Sequence, residues 1–397
     1  MSKKASLSSL KTPRALDPTF GNNGIIRFSK ILNLNTVEAS TQTKDGEYFC
    51  CGFLLDTNSS MFVIKLLSNG LFDPGFGNDG KQEFDPGELD RSGKAMSVII
   101  GIIQIETRIL VIGWTSLLEN EELTVVAIKT NGQIESRFGK GGVKRVSIVT
   151  SIRKAGIVAS KSFYHNPLII PIPGAVVRLN RDGELDTSFN GTGILPIKDG
   201  LNQTIAVQPA DNKILIADNH HTANDAVRIY RFTDAGILDK SFARDGIYTT
   251  PRPEHTISTL VADLNGVITY LGVRSETPQH HFLAQLLEDG TLDSSFNEGK
   301  PLPLKTLENS TYAYDGYFSI DNQNRRGIAM TGLLGGGNFA VVLRYLRNGL
   351  LDPTLGDEGM FVTTLGDARG IHVREQDKLV VVGYVHKEIT GEAQGIV

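Results

Sequence analysis

The chain has 397 residues, with 40 Lys plus Arg against 44 Asp plus Glu, and its formal charge of −4 is not gathered into a block of either sign that would attract nucleic acid or an anionic membrane. Apolar residues make up 40% and Gly numbers 42, which excludes a disordered chain, and no run of about 18 apolar residues offers a membrane-spanning helix. The two cysteines, Cys50 and Cys51, are neighbours and would be badly strained in a bridge, so the fold cannot rest on disulfides.

The first fifteen residues carry Lys3, Lys4, Lys11 and Arg14 but lack the apolar stretch of about seven or more residues that a secretory signal needs. They read as a flexible tail, residues 1–15. From Leu16 onward one phrase returns: a Gly-ended turn, an apolar residue, an acid, then Phe or Leu three residues on. The acids are Asp17, Asp73, Glu135, Asp186, Asp239, Asp293 and Asp352, and their apolar partners are Phe20, Phe76, Phe138, Phe189, Phe242, Phe296 and Leu355. The mean spacing of about 56 residues suits one propeller blade rather than a solenoid helix pair. The period runs to the C-terminus and leaves no room for a second core, so residues 16–397 read as one domain.

Each period predicts the same four strands. After the anchor comes a short extended segment, the first at residues 25–29 and the second at residues 81–85. A second segment, such as Gln203 to Gln208, runs into a polar turn of the kind tight hairpins select, here Ala210-Asp211-Asn212. The turn leads to a β-branched apolar run, YFCCGFLL from Tyr48, RILVIGWT from Arg108 or KLVVVGYV from Lys378, consistent with a strand buried on both faces. A fourth segment follows a variable connector, as in FVIKLL from Phe62 and AVVRLN from Ala175, and AQGIV from Ala393 is its shortened seventh copy. An open stack of such sheets would expose apolar faces at its ends, whereas a ring buries both faces of each one. The predicted fold is an all-β, seven-bladed β-propeller with four antiparallel strands per blade, closed through the chain termini.

In the anchor, Gly supplies the positive φ that ends a strand, the acid accepts backbone N–H groups of the next turn, and the Phe plugs between blades. Asn180 to Asp186 and Glu288 to Asp293 also resemble calcium loops, but other copies lose the oxygens and no bidentate Glu recurs, so no metal is expected. The segments LNRDGELDTSFNGTG, LLEDGTLDSSFNEG and LRNGLLDPTLGDEG resemble the bacterial delta-60 repeat, a tandem unit of about 55 residues. That resemblance covers all seven periods. It implies a propeller-like domain of bacterial origin and no agreed activity.

Function is expected where repeats differ, chiefly in the connector after the apolar run. Alignment on that run places Phe53, Trp114 and Tyr384 at one equivalent position, in blades that are neighbours in a closed ring. They read either as a platform for a sugar or a partner's side chain, or as packing at a strand end. The same connector holds His220, His221, His280 and His281, which could approach one metal or acidic ligand, or could simply be solvated loops. No GxSxG elbow, HExxH helix, P-loop or CxxC occurs.

The sequence therefore points to a non-catalytic, monomeric binding scaffold without a cofactor, recognising a protein partner through one propeller face. A lectin-like propeller taking a glycan is the alternative, against which the unrepeated Trp114 argues. A hydrolase or lyase with acids and His dispersed around the axis is the second. Localisation is expected in the bacterial cytoplasm, or outside by a signal-independent route.

Overall fold

The computed structural model describes residues 16–28, 34–54, 60–94, 96, 98–117, 120–147, 164–165, 168–172, 174–197, 202–219, 226–250, 256–274, 280–305, 311–320, 325–334, 337–363, 367–374, 378–386 and 393–396. The proposed tail, residues 1–15, lies outside them. In chain order the first sheet is β1 (Leu34–Gln42), β2 (Tyr48–Leu54), β3 (Met61–Leu66) and β4 (Lys81–Phe84), followed by one helical turn, α1 (Pro86–Leu89). The second sheet is β5 (Val98–Ile105), β6 (Arg108–Leu117), β7 (Asn120–Lys129) and β8 (Val143–Ser147). The third is β9 (Tyr164–His165), β10 (Leu168–Ile172), β11 (Ala175–Leu179) and β12 (Ile194–Pro196). The fourth is β13 (Asn202–Val207), β14 (Ile214–Asn219), β15 (Arg228–Phe232) and β16 (Ile247–Thr249). The fifth is β17 (Thr256–Ala262), β18 (Ile268–Arg274), β19 (His280–Leu286) and β20 (Leu302–Pro303). The sixth is β21 (Thr311–Ile320), β22 (Arg326–Leu334), β23 (Gly337–Tyr345) and β24 (Met360–Thr363), and the last is β25 (Asp367–Arg374), β26 (Lys378–His386) and β27 (Ala393–Ile396).

Every sheet is an antiparallel meander in sequence order, so this is an all-β β-propeller. Six blades have four strands, whereas four strands in each of seven were expected; the last sheet holds three. In the other sheets the outer strand comes after the anchor that follows the third strand, and β27 is the third strand of the last sheet. Among the described residues no helix is long and apolar enough to cross a membrane.

By contact the blades form two compact units, Met1–Ile148 with Thr306–Val397, and Val149–Lys305. In the first unit the leading strands of successive sheets lie side by side, β21 against β25, β25 against β1, and β1 against β5. The first and last repeats therefore pack directly on each other. Cys51, Phe49, Val63 and Phe76 of the first sheet close one core with Ile109, Val111 and Val126 of the second. Cys50, Tyr48 and Ile64 close another with Val380 and Val382 of the last sheet and with Phe20, Ile26 and Phe28 from the chain's beginning. The adjacent cysteines thus serve opposite faces of one strand, as the two-residue period of a β-strand demands. Both are free thiols, and burial raises Cys50 to about 12, so neither is a nucleophile near neutral pH. In the second unit, sheets three and four meet through Ile169, Val176, Phe189, Ile205 and Ile216, and sheets four and five through Leu215, Ile229, Phe242, Leu260, Tyr270 and Phe282.

Candidate functional site

The repeated acid is the most elaborately built polar group in the molecule. One carboxylate oxygen of Asp17, Asp186, Asp239, Asp293 and Asp352 accepts the backbone N–H two residues on at 2.9–3.0 Å, and also the hydroxyl of that residue, Thr19, Ser188, Ser241, Ser295 or Thr354, at 2.6–2.7 Å. In Asp73, Asp186, Asp239 and Asp352 the other oxygen meets a cation that sequence reasoning missed. Lys65 reaches Asp73 at 2.8 Å, Arg178 reaches Asp186 at 2.9 Å, Arg231 reaches Asp239 at 2.9 Å, and Arg344 reaches Asp352 at 2.8 Å. The signal was present: each base stands eight residues before its acid. The third copy has Ala127 and Glu135 at those places, and the sixth has Gln285 and Asp293.

The guanidinium does more than neutralise its acid. The Arg178 carbon lies 4.8 Å from the centre of the Phe189 ring and that of Arg231 4.7 Å from Phe242, both within cation–π range. Their outer nitrogens donate to the carbonyls of Asp234 and Glu288 in the next repeat. Backbone bonds join the same turns, from Gly21 to Asn69, Gly77 to Asn131, Asn190 to Ala235 and Ala243 to Asp289. The anchor phenylalanines Phe20, Phe76, Phe138, Phe189, Phe242 and Phe296 are buried, and Leu355 packs half-buried in the sixth blade's core. The hydrogen bond from Lys65 holds the Asp73 carboxyl below its usual range. For Asp239, burial pushes upward but is outweighed by Ser241 and Arg231, and the carboxyl falls to about 2. Asp73 and Asp239 therefore stay ionised at neutral pH.

The inner strands hold a second polar group. Ser40 Oγ of β1 and His372 Nε2 of β25 share a hydrogen bond of 2.8 Å between the first and last sheets. Gly370 makes this approach possible, because a Cβ there would stand 2.6 Å from Ser40 Oγ. The His372 ring lies 5.8 Å from that of Tyr48, and its enclosure lowers its pKa to about 4, so it is neutral at pH 7 although the residue as a whole is half-buried. A third polar group lies in the second blade. Arg145 of β8 meets Asp90, which follows α1, at 2.5 Å, and donates to Thr115 Oγ1 at 2.7 Å, Thr124 Oγ1 at 3.1 Å and the Lys94 carbonyl at 2.7 Å, pinning the long crossover over the sheet.

Phe53, Trp114 and Tyr384 occupy equivalent register positions, opposite Thr36, Val98 and Asp367 on the leading strand of each sheet. Phe53 is half-buried against the core between the first two sheets. Trp114 is 4% exposed, and its indole N–H is buried without a partner among the described residues. The Tyr384 side chain lies outside the described residues. So do His220, His221 and the His280 side chain, while His281 is buried within β19. Among the described residues no group of three or more His, Cys, Asp or Glu could hold a metal.

Fold and anchors together define a β-propeller built from repeats. A family model described as a domain of unknown function (DUF5122) beta-propeller matches residues 174–189, the fourth anchor with its preceding strand, and fits a β-propeller repeat family. No curated protein matches the chain. Among solved structures, a catalytically inactive variant of virginiamycin B lyase from Staphylococcus aureus is similar at 8% identity, with 94% of this chain and 98% of that one covered and a TM-score of 0.51. An aldose sugar dehydrogenase from Streptomyces coelicolor shows 12% identity over 78% of this chain and 94% of that one, with a TM-score of 0.43. The NanB sialidase from Streptococcus pneumoniae shows 11% identity over 94% of this chain and 69% of that one, also at 0.43. These likenesses concern the fold alone.

Proposed function

We propose that the chain is a non-catalytic scaffold that recognises a protein partner, a seven-bladed propeller of delta-60-type repeats. The seventh blade draws its outer strand from the chain's beginning. In support, Ile26 and Phe28 lie in one core with Val380 and Val382 of β26, and Arg27 between them forms a β-bridge.

One observation carries the binding reading: variation in chain length is concentrated at one end of each sheet. The anchors joining third and fourth strands hardly change, spanning residues 67–80, 180–193, 233–246 and 346–359. At the opposite end the connectors between second and third strands range from residues 173–174 to residues 220–227, and the crossovers to the next blade from residues 364–366 to residues 148–163. A uniform end serves blade-to-blade bonding, and a varied end serves recognition. Shortening residues 220–225 and 275–279 should abolish retention of a defined protein by the immobilised chain, whereas Leu264→Ser at the uniform end should leave it intact. Equal retention by both would defeat this reading, and sugar binding on a glycan array would replace it with the lectin.

The Ser40–His372 pair favours a second reading, a hydrolase with a dispersed site. Covalent labelling of Ser40 by a fluorophosphonate, lost in Ser40→Ala, would establish it, and an unlabelled wild-type chain would remove it.

A further inference from the structure

The beginning of the chain is held by the last repeat through a complete set of contacts. Asp17 Oδ2 receives the Arg374 guanidinium at 2.6 Å and the Lys378 ammonium at 2.7 Å, from the two ends of the turn between β25 and β26. The Arg374 carbon stands 5.3 Å over the Phe20 ring, and Tyr48 meets the same ring edge-on at 6.0 Å. Beyond the anchor, Ile26 and Phe28 are 6% and 0% exposed in one core with Val380 and Val382. A carboxylate between two cations, an aromatic three residues on and two apolar residues beyond it are what a peptide-recognition groove reads. The contacts that select this phrase are those of its side chains, the ion pairs of Asp17, the ring contacts of Phe20 and the packing of Ile26 and Phe28.

We propose that the cradle formed by Arg374, Lys378, Tyr48, Val380 and Val382 is a peptide-binding site, filled in this chain by its own residues 16–28 and able to take the same phrase from a second copy. Exchange of identical elements is a low-cost route to association, because every contact made in one chain is remade between two. Charge complementarity sets the occupant: a segment without the acid leaves Arg374 and Lys378 facing each other uncompensated.

The test uses the full chain with its own occupant weakened, Asp17→Ala with Phe20→Ala, and a fluorescent synthetic peptide of residues 15–29. The peptide should bind this variant saturably and at least about tenfold more tightly than it binds the wild type, whose cradle is filled. Adding Arg374→Ala and Lys378→Ala should reduce binding at least about tenfold, as should removing the acid and the aromatic from the peptide; each is about 1.4 kcal/mol or more. If the weakened variant does not fold alone, the peptide should restore the wild-type circular dichroism spectrum. A folded variant that ignores the peptide, a peptide that binds equally without its acid and Phe, or an unfolded variant the peptide cannot rescue would each overturn the proposal.

Discussion

At the scale of the residue, the governing decision is where each charge goes. Arg231 is 3% exposed and serves four partners: Asp239, Ser241, the Gln208 side chain and the Glu288 carbonyl, besides covering Phe242. Removing it leaves Asp239 to Lys213, 3.4 Å away, and to Ser241, while it opens the bond to the next repeat and uncovers the Phe242 ring, so Arg231→Ala should lower the unfolding free energy by about 3 kcal/mol, read from urea denaturation. Phe242→Ala should cost a similar amount, about 3–5 kcal/mol, by the cavity it leaves. Glu135 is the control. It has Ala127 where four other copies have a base, and among the described residues its carboxylate meets the Arg137 N–H at 3.4 Å, so Glu135→Gln should cost less than about 0.5 kcal/mol. A large loss at Glu135 would mean that the acid itself, and not its pairing with a base, holds the repeat.

At the scale of the element, the strands were legible because their burial follows from local pattern. The runs at Tyr48, Arg108 and Lys378 are β2, β6 and β26 to within two residues, and the short segments after the anchors are β4, β8, β12, β16, β20 and β24. The bases of the anchor were missed because a partner eight residues away lies across a turn, outside both the two-residue strand period and the helical one. Ser40 with His372 was invisible for a stronger reason: 332 residues separate them, and neither belongs to any motif. Trp114 stood out by its rarity, yet composition cannot tell a buried strand end from an exposed platform. One element depends on a turn with no tolerance for a side chain. Gly132 has φ of +92°, and a Cβ there would stand 2.3 Å from the Gly77 nitrogen, in the turn whose carbonyls and amides join the first blade to the second. Gly132→Ala forces backbone apart and should destabilise by more than about 2 kcal/mol, against about 1 kcal/mol or less for a mere conformational preference. A melting temperature within a degree of wild type would show that this junction yields freely.

At the scale of the whole molecule, one seam joins what the chain makes first to what it makes last, and its response to pH can be worked out from its charges. The folded chain holds His372 neutral down to about 4 because burial penalises the cation, while in the unfolded chain the ring takes up its proton at its ordinary value of 6.5. The unfolded state therefore binds more protons between those values, and stability must fall as pH is lowered from 6.5 to 4, by on the order of 3 kcal/mol from this ring alone. Asp17 acts in the same direction at lower pH: the Lys378 hydrogen bond and that from Thr19 depress its carboxyl, so its contribution is complete above 3.8 and is lost only below that value. Two windows result, an upper one owned by His372 and a lower one by Asp17 with the other paired anchors. Replacing the ring with a side chain that still meets Ser40 but does not titrate isolates the first. In His372→Gln, unfolding free energy from urea titrations should be nearly level between pH 6.5 and pH 4.5, where the wild type declines, and both proteins should fall together below pH 3.8. An equal slope in the two proteins across the upper window would move the acid sensitivity away from the seam.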